Sequence, residues 1–181
     1  GAQDLFKNLI SGVLVLIVKR FQKGDVVEIQ NVIEGSVEKI GFRSTAIRKF
    51  DKSLCFIPNN QFAENAVTNI TKISNRRINW IIGLEYKSTS IQMKSVCNEI
   101  ERNILKNKKD FYVSETTPVI VKINAFAPSS IDIMVRCFAS TNNYQKFIEI
   151  KDRLAISIKE IVEKNKCSFA FPTQSLYIEK N

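Results

Sequence analysis

Apolar residues crowd the first eighteen positions of this chain. Leu5, Phe6, Leu9, Ile10, Val13, Leu14, Leu16 and Ile17 cover most of a helical circumference, while Asp4, Asn8 and Ser11 fall along one stripe with Gly12 beside it. The pattern predicts a helix over Leu5 to Val18, closed by Lys19 and Arg20. Its uninterrupted apolar run, Gly12 to Val18, is shorter than the ~20 residues that span a bilayer. Three placements stay open: a buried core helix, an interfacial amphipathic helix, and the cytoplasmic half of a pore helix whose polar stripe faces water. Lys19, Arg20 and Lys23 at its exit suit the cytoplasmic surface of a membrane, anchoring at the phosphate level.

After the turn signal Gly24-Asp25 the period shortens to two. Val26 to Ile29 reads as a strand. Gly35 sits between Val32-Ile33 and Val37 to Ile40, as at a turn or bulge. Past Gly41, Phe42, Ser44, Ala46 and Arg48 share one face of a third strand. Asp51-Lys52-Ser53 turns into Leu54 to Ile57, which Pro58 stops, and Asn59 is placed to cap a short helical turn through Phe62. Val67 to Ile70 is the last of five short strands, and the set predicts a compact Sm-like β-barrel. Gly24, Gly35, Gly41, Pro58 and Asn59 are its expected structural residues.

Asn75-Arg76-Arg77 marks a boundary, beyond which the elements lengthen. Ile78 to Tyr86 reads as a strand. Ser90 to Lys106 is a helix with Met93, Val96, Cys97, Ile100 and Ile104 on one face, and Ser88, Thr89 or Ser90 as its cap. Pro118 to Phe126 and Ser130 to Phe138 are strands, Tyr144 to Lys164 a second helix, and Lys166 to Phe171 and Leu176 to Ile178 short terminal strands. The order β-α-β-β-α-β is that of a ferredoxin-like α/β domain. The expected class is α+β, divided into residues 1–23 (helix), 24–74 (β-domain) and 75–181 (α/β domain).

Composition narrows the chemistry. The chain has 181 residues, 27 Lys and Arg against 18 Asp and Glu, and no histidine. A net charge of +9 suits nucleic acid, anionic lipid or permeating anions as partners. Without histidine the commonest general base and metal ligand is gone. Cys55, Cys97, Cys137 and Cys167 are far apart and form no Cys-x-x-Cys pair. There is no Gly-rich phosphate loop, nucleophile elbow or paired-carboxylate motif. Glu99, Glu101 and Arg102, and likewise Glu149, Lys151, Asp152 and Arg153, read as solvated helix faces. Trp80, the only tryptophan, reads as a packing residue. Catalysis, a metal and a cofactor are not expected. The barrel aromatics Phe42, Phe50, Phe56 and Phe62 form no clustered stacking platform, so nucleic acid is not expected either.

A membrane-type helix feeding a small β-barrel resembles the small-conductance mechanosensitive channel (MscS-like) family. The resemblance rests on Ala2 to Val13, similar to the end of the pore-lining helix, and on Phe21-Gln22-Lys23-Gly24-Asp25, similar to the lead-in to the β-domain. Glu34-Gly35-Ser36-Val37, Arg43-Ser44-Thr45, Ile57-Pro58-Asn59 and Asn69-Ile70 fall where its barrel motifs fall, and Phe171-Pro172-Thr173-Gln174 resembles the close of its α/β domain. Phe42-Arg43-Ser44-Thr45 and Phe50-Asp51 are typical of members with long N-terminal regions. Asp4 stands where the family often has a glycine, whereas Gly12 matches the second glycine of that helix.

The resemblance implies a homoheptamer in the inner membrane, with residues from about 19 onward in the cytoplasm. Membrane lipid and permeating ions are the implied partners, and the implied role is to release ions and small solutes under tension after osmotic downshock. Asp4, Asn8, Ser11 and Gly12 are the implied gating positions. The chain opens without Met and in mid-helix, so the closing ring and the tension-sensing helices are expected before Gly1. The alternative is a soluble Sm-like ring protein that binds RNA or a nucleotide.

Overall fold

The computed structural model describes residues 1–18 and 20–172. The chain separates into two compact units, Gly1–Ile73 and Ser74–Asn181. In the first, helix α1 (Ala2–Val18) precedes strands β1 (Val26–Ile29), β2 (Ile33–Ile40), β3 (Ser44–Arg48), β4 (Leu54–Pro58) and β5 (Val67–Asn69), with a short helix α2 (Asn59–Glu64) between β4 and β5. The strands form one antiparallel sheet in the order β4-β3-β2-β1-β5. Period-two alternation puts Val27, Ile29, Ile33, Val37, Ile47 and Ile57 on the buried side, through pairs such as Ile29↔Ile33 and Val37↔Ile47. Each such side chain contributes about 1.5–3 kcal/mol of burial. Phe21 and Phe62 fill the remaining space, with ring centroids 5.0 Å apart.

Two readings change here, those of Gly35 and Phe42. The five strands form, but β4 and β5 end the sheet and do not pair with each other among the described residues. Gly35 is neither turn nor bulge. It lies inside β2, where an added Cβ would meet the Arg48 carbonyl oxygen at 2.5 Å, so glycine lets β3 pass close by. The bulge falls instead between Val37 and Lys39. Phe42 is not on β3, because the Gly41 N–H donates to the Ser44 carbonyl (3.0 Å) and closes a tight turn before the strand begins.

The second unit contains β6 (Arg76–Leu84), α3 (Ser90–Lys106), β7 (Ile120–Phe126), β8 (Ile131–Ala139) and α4 (Tyr144–Lys164). Its sheet is antiparallel in the order β6-β8-β7. Central β8 buries Ile131, Ile133, Val135, Cys137 and Ala139 in strict alternation. Against them pack Met93, Val96, Cys97, Ile100 and Ile104 of α3, the five positions read from helical spacing, with Ile150, Leu154, Ile158, Ile161 and Val162 of α4. Of the three candidate caps, Thr89 begins α3 with a reciprocal capping box to Gln92.

The strand expected over Lys166 to Phe171 reduces to an isolated bridge between Phe169 and Leu84. Lys166 turns to φ 55°, so extended backbone begins only after it. The expected strand Leu176 to Ile178 lies outside the described residues. The charged helix faces are solvated as read at Arg102, Glu149, Asp152 and Arg153, while Glu99, Glu101 and Lys151 are half-buried. Arg153 Nε and NH2 donate to Asp110 Oδ2 at 3.1 and 2.8 Å, Lys151 sits 5.6 Å from the Trp80 ring centroid, and Glu99 accepts from Lys164 Nζ at 2.9 Å. Half-buried Trp80 packs on this core.

Candidate functional site

Past Asp4, the polar stripe of α1 does not face water. Asn8 and Ser11 are only 9% and 8% exposed and Gly12 is buried, while Leu5 and Phe6 are 61% and 65% exposed. The helix thus turns its polar side to the β-rich unit and its apolar side outward. Hydrogen bonding gives the reason. Asn8 Nδ2 donates to the Asp4 carbonyl at 2.9 Å, and its Oδ1 accepts the Asn60 backbone N–H of α2 at 3.1 Å, one of the donors a helix start leaves unpaired. Asp4 itself is exposed. Lys7 Nζ reaches Glu64 Oε1 at 3.4 Å, an exposed pair of small energetic weight.

Gly12 lies against two groups of the β-rich unit. An added Cβ would stand 2.6 Å from Asn59 Nδ2 and 2.7 Å from the Phe42 carbonyl oxygen. Asn59 does not cap α2 as expected. Pro58 holds the N-cap position with no side-chain hydrogen bond, and Asn59 is the first helical residue. Its fully buried amide donates to the carbonyls of Gly41 (2.8 Å) and Phe42 (3.0 Å) and accepts from Thr45 Oγ1 (2.9 Å). Satisfying buried carbonyls outweighs capping a six-residue helix, because an unpaired buried polar group costs about 1–3 kcal/mol.

Beyond α1 the chain is tied down at a second point. Gly24, at φ 94°, makes the turn that follows exposed Lys23. Buried Asp25 accepts the Gln22 N–H at 3.1 Å and Asn69 Nδ2 at 2.8 Å, and Asn69 Nδ2 also donates to the Arg20 carbonyl at 3.2 Å. Arg20 is exposed, and Lys19 lies outside the described residues. The structure therefore gathers Asn8, Gly12, Gly41 and Asn59 at one contact, buries Ser11, and leaves Asp4, Arg20 and Lys23 at the surface. Thr45 and Asn60 join that contact and were not singled out as site residues. Thr45 stands in the Arg43-Ser44-Thr45 motif, but nothing local to it announces a partner fourteen residues away. Among the described residues no acidic, histidine or cysteine cluster could hold a metal, and no helix is long and apolar enough to cross a membrane.

Comparison with known proteins reads both units together. Residues 4–72 match the family described as "Mechanosensitive ion channel, beta-domain", and residues 78–169 match "Mechanosensitive ion channel MscS, C-terminal". The chain belongs to the MscS family. An uncharacterized MscS family protein of Aquifex aeolicus is 40% identical over 180 residues, 99% of this chain and 48% of that protein. The low conductance mechanosensitive channel YnaI of Escherichia coli is 33% identical over 99% of this chain and 51% of its own length. The chain thus spans about half the length of these curated relatives. The fold is shared with the closed-state crystal structure of Helicobacter pylori MscS, with a TM-score of 0.82 at 23% identity over 99% of this chain and 67% of that one. It is shared too with Arabidopsis thaliana MSL1, with a TM-score of 0.84 at 20% identity over 94% of this chain and 60% of that one. The RNA- or nucleotide-binding alternative finds no support among these relatives.

Proposed function

We propose that this MscS-family chain is the cytoplasmic vestibule portion of a mechanosensitive channel subunit, which releases ions and small solutes when membrane tension rises. The observation that carries the reading is the inverted amphipathicity of α1. Leu5, Phe6, Leu9, Ile10 and Val13 are all at least 40% exposed on one helix, although a free helix would hide them. Lipid and neighbouring copies of the same helix are the cover that a pore would provide. The names of YnaI and of the channels whose fold it shares support the same role.

Within this reading the subunit forms a homoheptamer at the inner membrane. Asp4, Asn8, Ser11 and Gly12 lie on the helix that moves, and Lys19, Arg20 and Lys23 anchor at the phosphate level on the cytoplasmic side. The finer fold assignment follows the strand orders. The sheet β4-β3-β2-β1-β5 is read as an Sm-like barrel over residues 24–74. The order β6-β8-β7, with the Phe169 bridge on the free edge of β6, is read as a ferredoxin-like domain over residues 75–181. Glycine, proline and asparagine at 24, 35, 41, 58 and 59 shape the barrel.

Osmotic rescue tests the role. The full-length gene, expressed in bacteria stripped of their own mechanosensitive channels, is expected to restore survival after a sudden downshock. Death at the rate of the empty strain would contradict it.

A further inference from the structure

At Gly12 helix α1 lies close against Asn59 and the turn that joins β2 to β3, where an added Cβ would stand 2.6 Å from Asn59 Nδ2 and 2.7 Å from the Phe42 carbonyl oxygen. Besides the Gly41 N–H bond to the Ser44 carbonyl, that turn is held from outside by Asn59. Asn59 Nδ2 donates to the Gly41 and Phe42 carbonyls, and the Asn59 backbone N–H donates to the Arg43 carbonyl at 3.0 Å. Three successive carbonyls of the turn therefore accept from Asn59. Its remaining side-chain polar atom, Oδ1, accepts from Thr45 Oγ1, and both residues are fully buried. The Thr45 hydroxyl fixes which end of the amide is which, because only with oxygen toward Thr45 do both N–H groups reach the turn.

We propose that Asn59 is a positioning residue: its buried amide, oriented by Thr45, holds the Gly41–Arg43 turn as the bearing surface on which α1 rests at Gly12. Loosening this clamp frees both the turn and the helix that leans on it. The consequence for gating rests on the channel reading: a helix with a looser seat leaves and regains its position at altered rates, while the width of the open path is unchanged.

The test is amide hydrogen exchange on the full-length protein, comparing Thr45→Val with Thr45→Ser. Thr45→Val is expected to speed exchange about five- to tenfold, the loss of one buried hydrogen bond, both in residues 41–44 and in residues 8–13 of α1. Thr45→Ser, which keeps the hydroxyl, is expected to behave as wild type, and β8 in the second unit to be unchanged in both. Faster exchange in the turn alone would overturn the proposal, because Asn59 would then shape the turn without seating the helix. Unchanged exchange in both segments would overturn it as well. Should Thr45→Val fail to assemble, Asn59→Ser carries the same comparison without adding charge. Patch recordings of the same variants read the gating consequence as a change in current decay under held pressure. A wild-type protein that carries no tension-activated current would defeat the channel reading and leave the exchange result standing.

Discussion

Gly12 shows how magnitude decides a residue's part. Alanine in place of a mid-helix glycine gains about 0.5–1 kcal/mol of helix propensity. Here the added Cβ meets Asn59 Nδ2 and the Phe42 carbonyl at 2.6 and 2.7 Å, and overpacking of that kind costs about 1–3 kcal/mol. Gly12→Ala is therefore expected to loosen the α1 seat by roughly 1 kcal/mol net. In the proposed heptamer, seven subunits moving together would bring that to about 7 kcal/mol, enough to reverse a two-state balance. Full-length Gly12→Ala should change current decay and recovery under sustained pressure, with single-channel conductance nearly constant, and identical traces would remove Gly12 from gating. A second residue prediction concerns Asp110. Burial pushes its carboxyl up, but hydrogen bonds from Arg153 and Asn107 outweigh this and hold it below the usual carboxylate range. A lowered folded-state pKa stabilises above the unfolded value of about 3.9 and is lost as pH falls through the folded value. Asp110→Asn should thus cost about 1–3 kcal/mol at pH 7, with the gap to wild type closing below about pH 4 in acid-unfolding curves. The thiols give a third. Burial raises the Cys97 thiol and pushes that of Cys137 up to about 12, and Cys167 is also buried, so a polar thiol reagent should label half-buried Cys55 alone until the chain unfolds.

At the scale of elements, the helices were legible because periodicity and capping are local. Met93 to Ile104 marks the inner face of α3, and Thr89 with Gln92 closes its start, so Thr89→Ala should lower stability by about 1 kcal/mol in denaturant unfolding. What failed to show was set by partners distant in sequence. Gly35 reads as a break in isolation, yet β2 runs through it because β3 comes within contact of its Cα. Asn59 has the chemistry of a cap, and only the folded chain shows three carbonyls competing for it. The stripe of Asp4, Asn8 and Ser11 was visible along α1, but its direction was not, since the Asn60 N–H that draws Asn8 inward lies 52 residues on. The strand expected over Lys166 to Phe171 shrank because the left-handed turn at Lys166 cannot be read from a lysine.

At the scale of the molecule, strands β4 and β5 leave two sheet edges unpaired among the described residues, and such edges call for pairing or cover. A ring closed by residues 24–70 supplies it, and native mass spectrometry is expected to find seven copies. A monomer at high concentration would count against closure by this region. A net charge of +9 per chain should give mild anion preference that fades as salt shortens the Debye length from about 10 Å at 0.1 M. Reversal potentials in a KCl gradient read it, and cation selectivity would place the surplus charge off the path. Family membership was legible in the residues around Gly12, Gly24 and Pro58, whereas nothing in the periodicity of a single chain encodes the number of subunits. The most direct measurement is a pressure-clamped patch from liposomes holding only the purified full-length protein. Suction is expected to open discrete, reversible conductance steps whose open probability rises steeply with tension. A bilayer that stays silent up to its rupture tension would contradict the account.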